Sequence, residues 1–333
     1  MARRDRSTLW RTQNFLRDPK LVEAIVGRAD IGKTDTVYDL GAGRGAITNA
    51  LARRAGRVVA IEKDPRLFER LRARFADGGK VDVRHADILT HALPRRDYIV
   101  FANPPFDATA AIVRRLTTAV VPPRDAYLVL QNEAAQRYLG RPRQTLAALL
   151  IAPWFSVRIV YRFARADFVP PPMVDAVLVR LHKRGPPLVA ANDAQAYRDF
   201  VVACFVSWRP SVGEALRQLI GSGPASRVFT RAKLDPAARP SQLTFGEWLG
   251  LFHRAHEQDR VRHAIVGAEQ QLRRRQRRMH RVHRTRAPRD ALGSRGSDQN
   301  EAKPCDVVAN ASDRRGHMGE VSRACIRGTA PRG

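Results

Sequence analysis

The chain has 333 residues, 44% of them hydrophobic, and a formal net charge of +27 from 59 Lys and Arg against 32 Asp and Glu. That length suits about two domains with ample material for a core, and the charge suits a polyanionic partner, because phosphate contacts dominate nucleic-acid affinity. An acidic membrane surface would attract the same charge, but no apolar run approaches the ~20 residues needed to span a bilayer. Met1–Arg11 carries charges with no apolar segment behind them, so no signal sequence is read there. Cys204, Cys305 and Cys325 lie far apart and form neither a metal spacing nor a disulfide framework. The setting is read as reducing and cytoplasmic, with no metal and no membrane.

In chain order, Thr36-Val37-Tyr38-Asp39-Leu40 is short, apolar and β-branched, which predicts a buried parallel strand. Gly41, Gly43 and Gly45 follow at once, and Ala46–Ala52 reads as the opening of a helix. Glycine is needed where backbone turns sharply or a ligand must touch main chain. The spacing is G-x-G-x-G, not the dinucleotide pattern G-x-G-x-x-G, so the turn is either a cofactor cradle or a tight strand-to-helix connection. A second apolar run, Arg57–Ile61, ends on Glu62, placed to accept from both ribose hydroxyls of an adenosine. A third, Val81–Ile88, places Asp87 at another strand end, where a carboxylate can accept from an adenine amino group. Each acid alone reads equally as a solvated loop residue. Together they favour a ligand, because open α/β sheets bind ligands at the carboxyl ends of their strands.

Asp97–Ala102 predicts a fourth strand, and Asn103-Pro104-Pro105-Phe106 follows it. Pro104 pushes Asn103 toward extended geometry and fixes its own φ. The Asn103 side-chain oxygen and the Pro104 carbonyl then stand as two rigid acceptors. An aromatic amine is a poor nucleophile because its lone pair is delocalised; acceptors on its N–H bonds favour the pyramidal transition state. Phe106 offers a face for an extruded base. The bland alternative is a proline-stiffened turn over a buried Phe. Glycine turn and tetrapeptide, in this order and about sixty residues apart, read as an S-adenosylmethionine-dependent N-methyltransferase acting on a nucleobase.

Later strands are predicted at Ala126–Gln131 and Ala176–Leu181, and Arg184-Gly185-Pro186-Pro187 reads as a linker. Helical periodicity follows over Asp193–Cys204, Ser211–Ile220 and Thr244–Ala255. Trp208, Arg209, Arg217, Arg227, Arg231 and Lys233 fall in this region and face either RNA backbone or solvent. Residues 1–183 are therefore read as a catalytic domain, 184–258 as a helical RNA-binding domain and 259–333 as a basic tail. The tail, with its arginine block Leu272–Arg281, has few large apolar residues and is expected to be disordered. It either adds sequence-independent affinity for RNA or has no role. Its 18 basic and 8 acidic residues give +10 of the +27, so the preceding chain keeps +17 and is basic by itself.

From about Thr12 to His256 the chain resembles the rRNA adenine N6-methyltransferases, and within them the Erm group. The resemblance rests on Gln13-Asn14-Phe15-Leu16, the glycine turn, Ile61-Glu62-Lys63-Asp64, Ala86-Asp87-Ile88-Leu89 and Asn103-Pro104-Pro105-Phe106. It continues through Val129–Ala135 and Phe163–Ala176. It implies an α/β, Rossmann-like class I S-adenosylmethionine-dependent methyltransferase with a small C-terminal helical domain. Position by position it implies cofactor contact by Asn14, Leu16, Gly41, Gly43, Glu62, Asp87 and Asn103. Catalysis would fall to Asn103, Pro104 and Phe106, and the target base would meet Phe106 and Phe168. The implied partner is 23S rRNA, met by a monomer, with resistance to macrolides, lincosamides and streptogramin B as the outcome. The alternatives are the related dimethylation of small-subunit rRNA in ribosome biogenesis and a non-catalytic RNA-binding factor on the same fold. Pro-Trp-Phe at 153–155, the run Phe168–Pro172 and the long arginine-rich tail look more like the 23S class. The family often has a branched aliphatic residue at Pro104 and Tyr at Phe106, and N-P-P-F also resembles the motif of DNA N6-adenine methyltransferases.

Overall fold

The apolar runs pair into one seven-stranded sheet in the computed structural model, which describes residues 14–77, 79–207, 209–256 and 265–285. Its strands are β2 (Thr36–Leu40), β3 (Arg57–Glu62), β4 (Val81–His85), β5 (Ile99–Ala102), β6 (Asp125–Gln131), β7 (Phe155–Arg162) and β9 (Ala176–Lys183). The order is β4-β3-β2-β5-β6-β9-β7. The first five are parallel, and β9 lies antiparallel between β6 and β7. Helices α2 (Ala46–Arg54), α3 (Pro65–Arg74) and α4 (Thr109–Thr117) link successive parallel strands, with α1 (Pro19–Gly27) preceding β2. The strand period of two divides the core into two layers. Tyr38, Leu40, Val59, Ile61, Val100 and Leu128 pack on one face, and Val37, Val58, Ile99, Phe101, Tyr127 and Val129 on the other. Both faces are covered, which is why these strands read as continuous apolar runs.

A separate two-residue strand, β1 (Phe15–Leu16), pairs antiparallel with β8 (Phe168–Val169), Phe15 opposite Val169 and Leu16 opposite Phe168. Arg17 N–H extends the pairing to the Asp167 carbonyl at 2.8 Å. This pairing joins residues far apart in the chain, and neither strand is long enough to show a period in sequence.

After β6 come α5 (Asn132–Leu139) and α6 (Leu146–Ile151); after β9 the described chain is helical, with α7 (Ala194–Phe205), α8 (Val212–Ile220), α9 (Ser222–Ala232) and α10 (Phe245–His256). Tyr197, Phe200, Leu216, Phe229, Trp248 and Phe252 form their core. The change of secondary structure at Lys183 is not a break in packing. Leu149 of α6 belongs to this helical cluster, and Tyr197 O–H donates to the Leu149 carbonyl at 3.0 Å. Cys204 is fully buried within it, which pushes its thiol up to about 12 and makes it a small apolar core residue.

Composition predicts loss of structure after about Gln258, and the described residues correct this. Ile265 is 2% exposed, and Ala268–Thr285 forms a further helix, α11. The cause is Asp199 of α7, itself 4% exposed, whose carboxylate accepts from Gly267 N–H at 3.1 Å and Glu269 N–H at 2.8 Å. Those are amides that the first turn of a helix leaves unpaired. The remaining tail, 286–333, with Cys305 and Cys325, lies outside the described residues.

Truncation after residue 264 should therefore strip both donors from a buried carboxylate and destabilise the protein by about 1–3 kcal/mol, a drop of several degrees in Tm. Truncation after Thr285 should leave Tm unchanged. Equal melting of the two truncated chains would reject the role given to Asp199.

Candidate functional site

Strand order reverses between β2 and β5, and the crevice outside the carboxyl ends of strands at such a reversal is where open α/β sheets hold ligands. The turn 41–45 leaves β2 there, Glu62 ends β3, and Asn103–Phe106 leaves β5. Gly43 sits at φ +58°, where a Cβ would come to 3.0 Å from the Phe15 ring. Its N–H donates to Glu62 Oε2 at 2.8 Å. Only glycine combines that backbone conformation with that close approach. A Cβ added at Gly41, in contrast, would meet nothing within 4 Å, so main chain is open to a ligand at that point.

Glu62 is 4% exposed. Besides Gly43, it accepts from Lys63 N–H at 2.9 Å and Asp64 N–H at 2.8 Å, both on Oε1. Backbone donors thus offset the desolvation of this carboxylate and fix its direction. Asp87 accepts on Oδ2 from Lys63 Nζ at 2.7 Å and on Oδ1 from Leu89 N–H at 2.8 Å. The bond from Lys63, aided by the Leu89 amide, holds its carboxyl below the usual range. It is an ionised acceptor at neutral pH.

Asp39 lies inside the glycine motif, and its role is set by the tertiary structure. It is fully buried at the end of β2; Oδ2 accepts from Thr48 O–H at 2.6 Å, while Oδ1 has no hydrogen-bond partner among the described residues. Burial, with the Glu62 charge adding to it, pushes its carboxyl up to about 7. A buried acceptor left unpaired beside an open glycine turn fits a ligand that brings a donor or a positive charge. The signal was present in Asp39-Leu40-Gly41; what hid it was that β2 reads equally as an ordinary apolar strand.

The tetrapeptide lies opposite. Asn103 Nδ2 donates to the Asn14 carbonyl at 2.8 Å, across 89 positions of sequence. With the amide nitrogen so engaged, the side-chain oxygen is directed away from Asn14 as an acceptor. Asn14 directly precedes β1, so the β1–β8 pair sets the orientation of Asn103. Leu16, in β1, packs on the core layer that holds Phe101 and Phe168. Pro104 is buried, and Phe106 is half-buried at the start of a 3-10 turn, Phe106–Ala108, that leads into α4. Phe168 is not on an open surface. It is 1% exposed and packs edge-on against Phe163 with ring centroids 5.1 Å apart. Because alternate residues of a strand face opposite ways, Phe168 points into the core and Val169, 47% exposed, points out. Phe168 anchors β8, and through it β1.

Arg209, Arg217, Arg227, Arg231 and Lys233 are all exposed. Arg209 donates to Gln218 and Arg217 lies 3.9 Å from Glu214. Trp208 lies outside the described residues. No group of His, Cys, Asp and Glu among the described residues is arranged to hold a metal ion, and no helix there is long and apolar enough to cross a membrane.

The model of the family described as ribosomal RNA adenine dimethylase matches residues 8–257. An rRNA methyltransferase of Streptomyces thermotolerans is 34% identical over 252 residues, covering 73% of this chain and 82% of that protein. A ribosomal RNA small subunit methyltransferase A of a Geobacillus strain is 32% identical over 256 residues, covering 72% and 88%. Among solved structures, the 23S rRNA methyltransferase ErmE superposes with a TM-score of 0.66 at 28% identity, covering 72% of this chain and 99% of that one.

The buried carboxylate at the turn has a pH consequence. Unfolded, Asp39 ionises near 3.8; folded, near 7, so between these values the folded chain holds a proton that the unfolded chain has released. Stability therefore falls as pH rises from about 4 to about 7 and levels off above. Asp39→Asn should flatten that decline in denaturant midpoints taken across the range. An unchanged decline would show that another group is responsible.

Proposed function

We propose that this chain, which belongs to the S-adenosylmethionine-dependent ribosomal RNA adenine dimethylase family, methylates N6 of one adenine in 23S rRNA. Addition of one or two methyls there would confer resistance to macrolides, lincosamides and streptogramin B. The observation that carries the adenine chemistry is the bond from Asn103 Nδ2 to Asn14. It leaves Asn103 Oδ1 as an oriented acceptor at the reversal of the sheet. The 23S reading is supported by likeness to ErmE and by Pro153-Trp154-Phe155 and Phe168–Pro172.

The cofactor, when bound, supplies an electrophilic methyl on a sulfonium. The residues that would hold it are Asn14, Leu16, Gly41, Gly43, Glu62, Asp87 and Asn103, joined by Asp39, whose unpaired oxygen suits a cationic group. The Asn103 oxygen and the Pro104 carbonyl accept from the exocyclic amine of the adenine. That draws its lone pair out of the ring and stabilises the pyramidal nitrogen as charge develops. Phe106 stacks on the extruded base. The surplus proton passes to solvent after transfer, so no strong general base is needed.

With tritiated S-adenosylmethionine, naked 23S rRNA should be labelled at a single adenine, mapped by primer extension, while 30S particles and duplex DNA stay unlabelled. Label confined to 30S particles would move the protein to small-subunit modification, the activity named for the Geobacillus relative. Loss of a preorganised acceptor costs about 10²–10³ in turnover, and that is the fall expected for Asn103→Ala in single-turnover rates. Retained activity would remove the amine-clamp argument. Phe106→Ala should lose the ~1–3 kcal/mol of base stacking, whereas Phe106→Tyr should keep it; equal loss in both would count against stacking.

A further inference from the structure

We propose that α11 carries a second RNA-binding surface, a strip of Arg274, Arg275 and Arg278 that grips the phosphate backbone of the substrate rRNA outside the span shared with the family. The family match ends at residue 257, and α11 begins at Ala268. Gln271, Arg274, Arg275 and Arg278 stand at i, i+3, i+4 and i+7, a single helical face, and line one open groove. All four are exposed. Arg274 and Arg278 are about 6 Å apart along the axis, so the three guanidinium groups present as one cationic strip.

Two features separate this strip from an ordinary solvated face. The helix over 268–285 holds seven arginines and a single acid, Glu269. That acid is already taken. It is 6% exposed and accepts from Arg273 at 2.6 Å and from Gln195 Nε2 at 3.3 Å. Arg274, Arg275 and Arg278 have no ion-pair partner among the described residues. The orientation of the helix is also set, because Asp199 holds the amides of Gly267 and Glu269 and Arg273 closes back on Glu269. The outward stripe is what that docking leaves free.

The chemistry of the strip selects its occupant. Guanidinium groups match phosphate oxygens in a planar, two-pronged geometry, and the strip bears no aromatic side chain on which a base would stack. It therefore grips backbone without reading sequence. A bilayer is a poor fit, since an interfacial helix needs a broad apolar face, and this one offers only Leu272, Met279 and Val282 as large apolar residues. The inference deepens the function proposed above and rests on it only for RNA as the substrate.

The test uses the full chain, titrated with a naked 23S rRNA fragment and with an unrelated RNA of equal length between 50 and 200 mM salt. Three phosphate contacts contribute about 2 to 3 to the slope of log affinity against log salt. R274Q/R275Q/R278Q should lower the slope by that amount, and weaken binding roughly tenfold at 0.15 M salt, on both RNAs alike. The corresponding triple Lys variant should recover the slope, while Tm and binding of S-adenosylmethionine stay as in the parent. An unchanged slope, or a Lys variant as weak as the Gln variant, overturns the proposal. A loss of slope with label in 30S particles keeps this surface and rejects the 23S assignment; an intact slope with label in 23S rRNA does the reverse.

Discussion

The reversal of strand order between β2 and β5 is the constraint on which the site depends. Parallel strands joined by right-handed crossovers send their helices to one face or the other according to the direction of travel. Here α2 leads from β2 to β3 and α4 leads from β5 to β6, so the two connections part company where β2 and β5 lie side by side. The space between them opens at the carboxyl ends of the strands. The glycine turn enters it from one side and Asn103–Phe106 from the other. Neither motif has any reason to meet the other in sequence.

Within that crevice the two halves are held by different means. The half at the glycine turn is held through buried carboxylates. Glu62 is satisfied by three backbone amides, one of them from Gly43, so the turn and the end of β3 share a single hydrogen-bonded unit. Asp39 is only half satisfied, by Thr48. An unpaired acceptor in a core is destabilising, and such strain is tolerated where a ligand completes the set. The half at the tetrapeptide is held by reach across the chain. β1 lies on β8, Phe168 and Phe163 pack beneath, and the Asn14 carbonyl then takes the Asn103 amide. Asn103 is a positioned acceptor because a two-residue strand at the start of the described chain holds its other end.

The helical region carries exposed basic residues on a core of its own. That core takes in Leu149 of α6, whose carbonyl accepts from Tyr197 O–H, so the helices are packed against the preceding chain without a break. Arg209, Arg217, Arg227 and Arg231 of this region are exposed and, at Arg209 and Arg217, already partnered. Arg274, Arg275 and Arg278 of α11 differ in that the one acid of their helix, Glu269, is already taken by Arg273. Asp199 explains how so charged a segment is held at all. It is a buried acid that pairs with backbone amides, not with arginines.

Six of the seven strands of the sheet, all but β7, were legible in the amino-acid sequence, as were the glycine turn, the acids at the strand ends and the tetrapeptide. Each rests on local physics: apolar runs of strand length, glycine where a Cβ would collide, proline fixing a backbone angle. Composition likewise determined the basic character of the chain. Tertiary structure decided what depends on partners far away. Phe168 reads in sequence as one more aromatic beside a functional motif, yet its place in β8 turns it into the core. Asp39 reads as an interruption in an apolar strand, and only burial beside Glu62 makes it an acceptor awaiting a donor. Ala268–Thr285 has too few apolar residues to announce itself, and it is held by a carboxylate about seventy residues earlier. Local sequence sets what a residue can do; burial and long-range pairing decide which of those things it is placed to do.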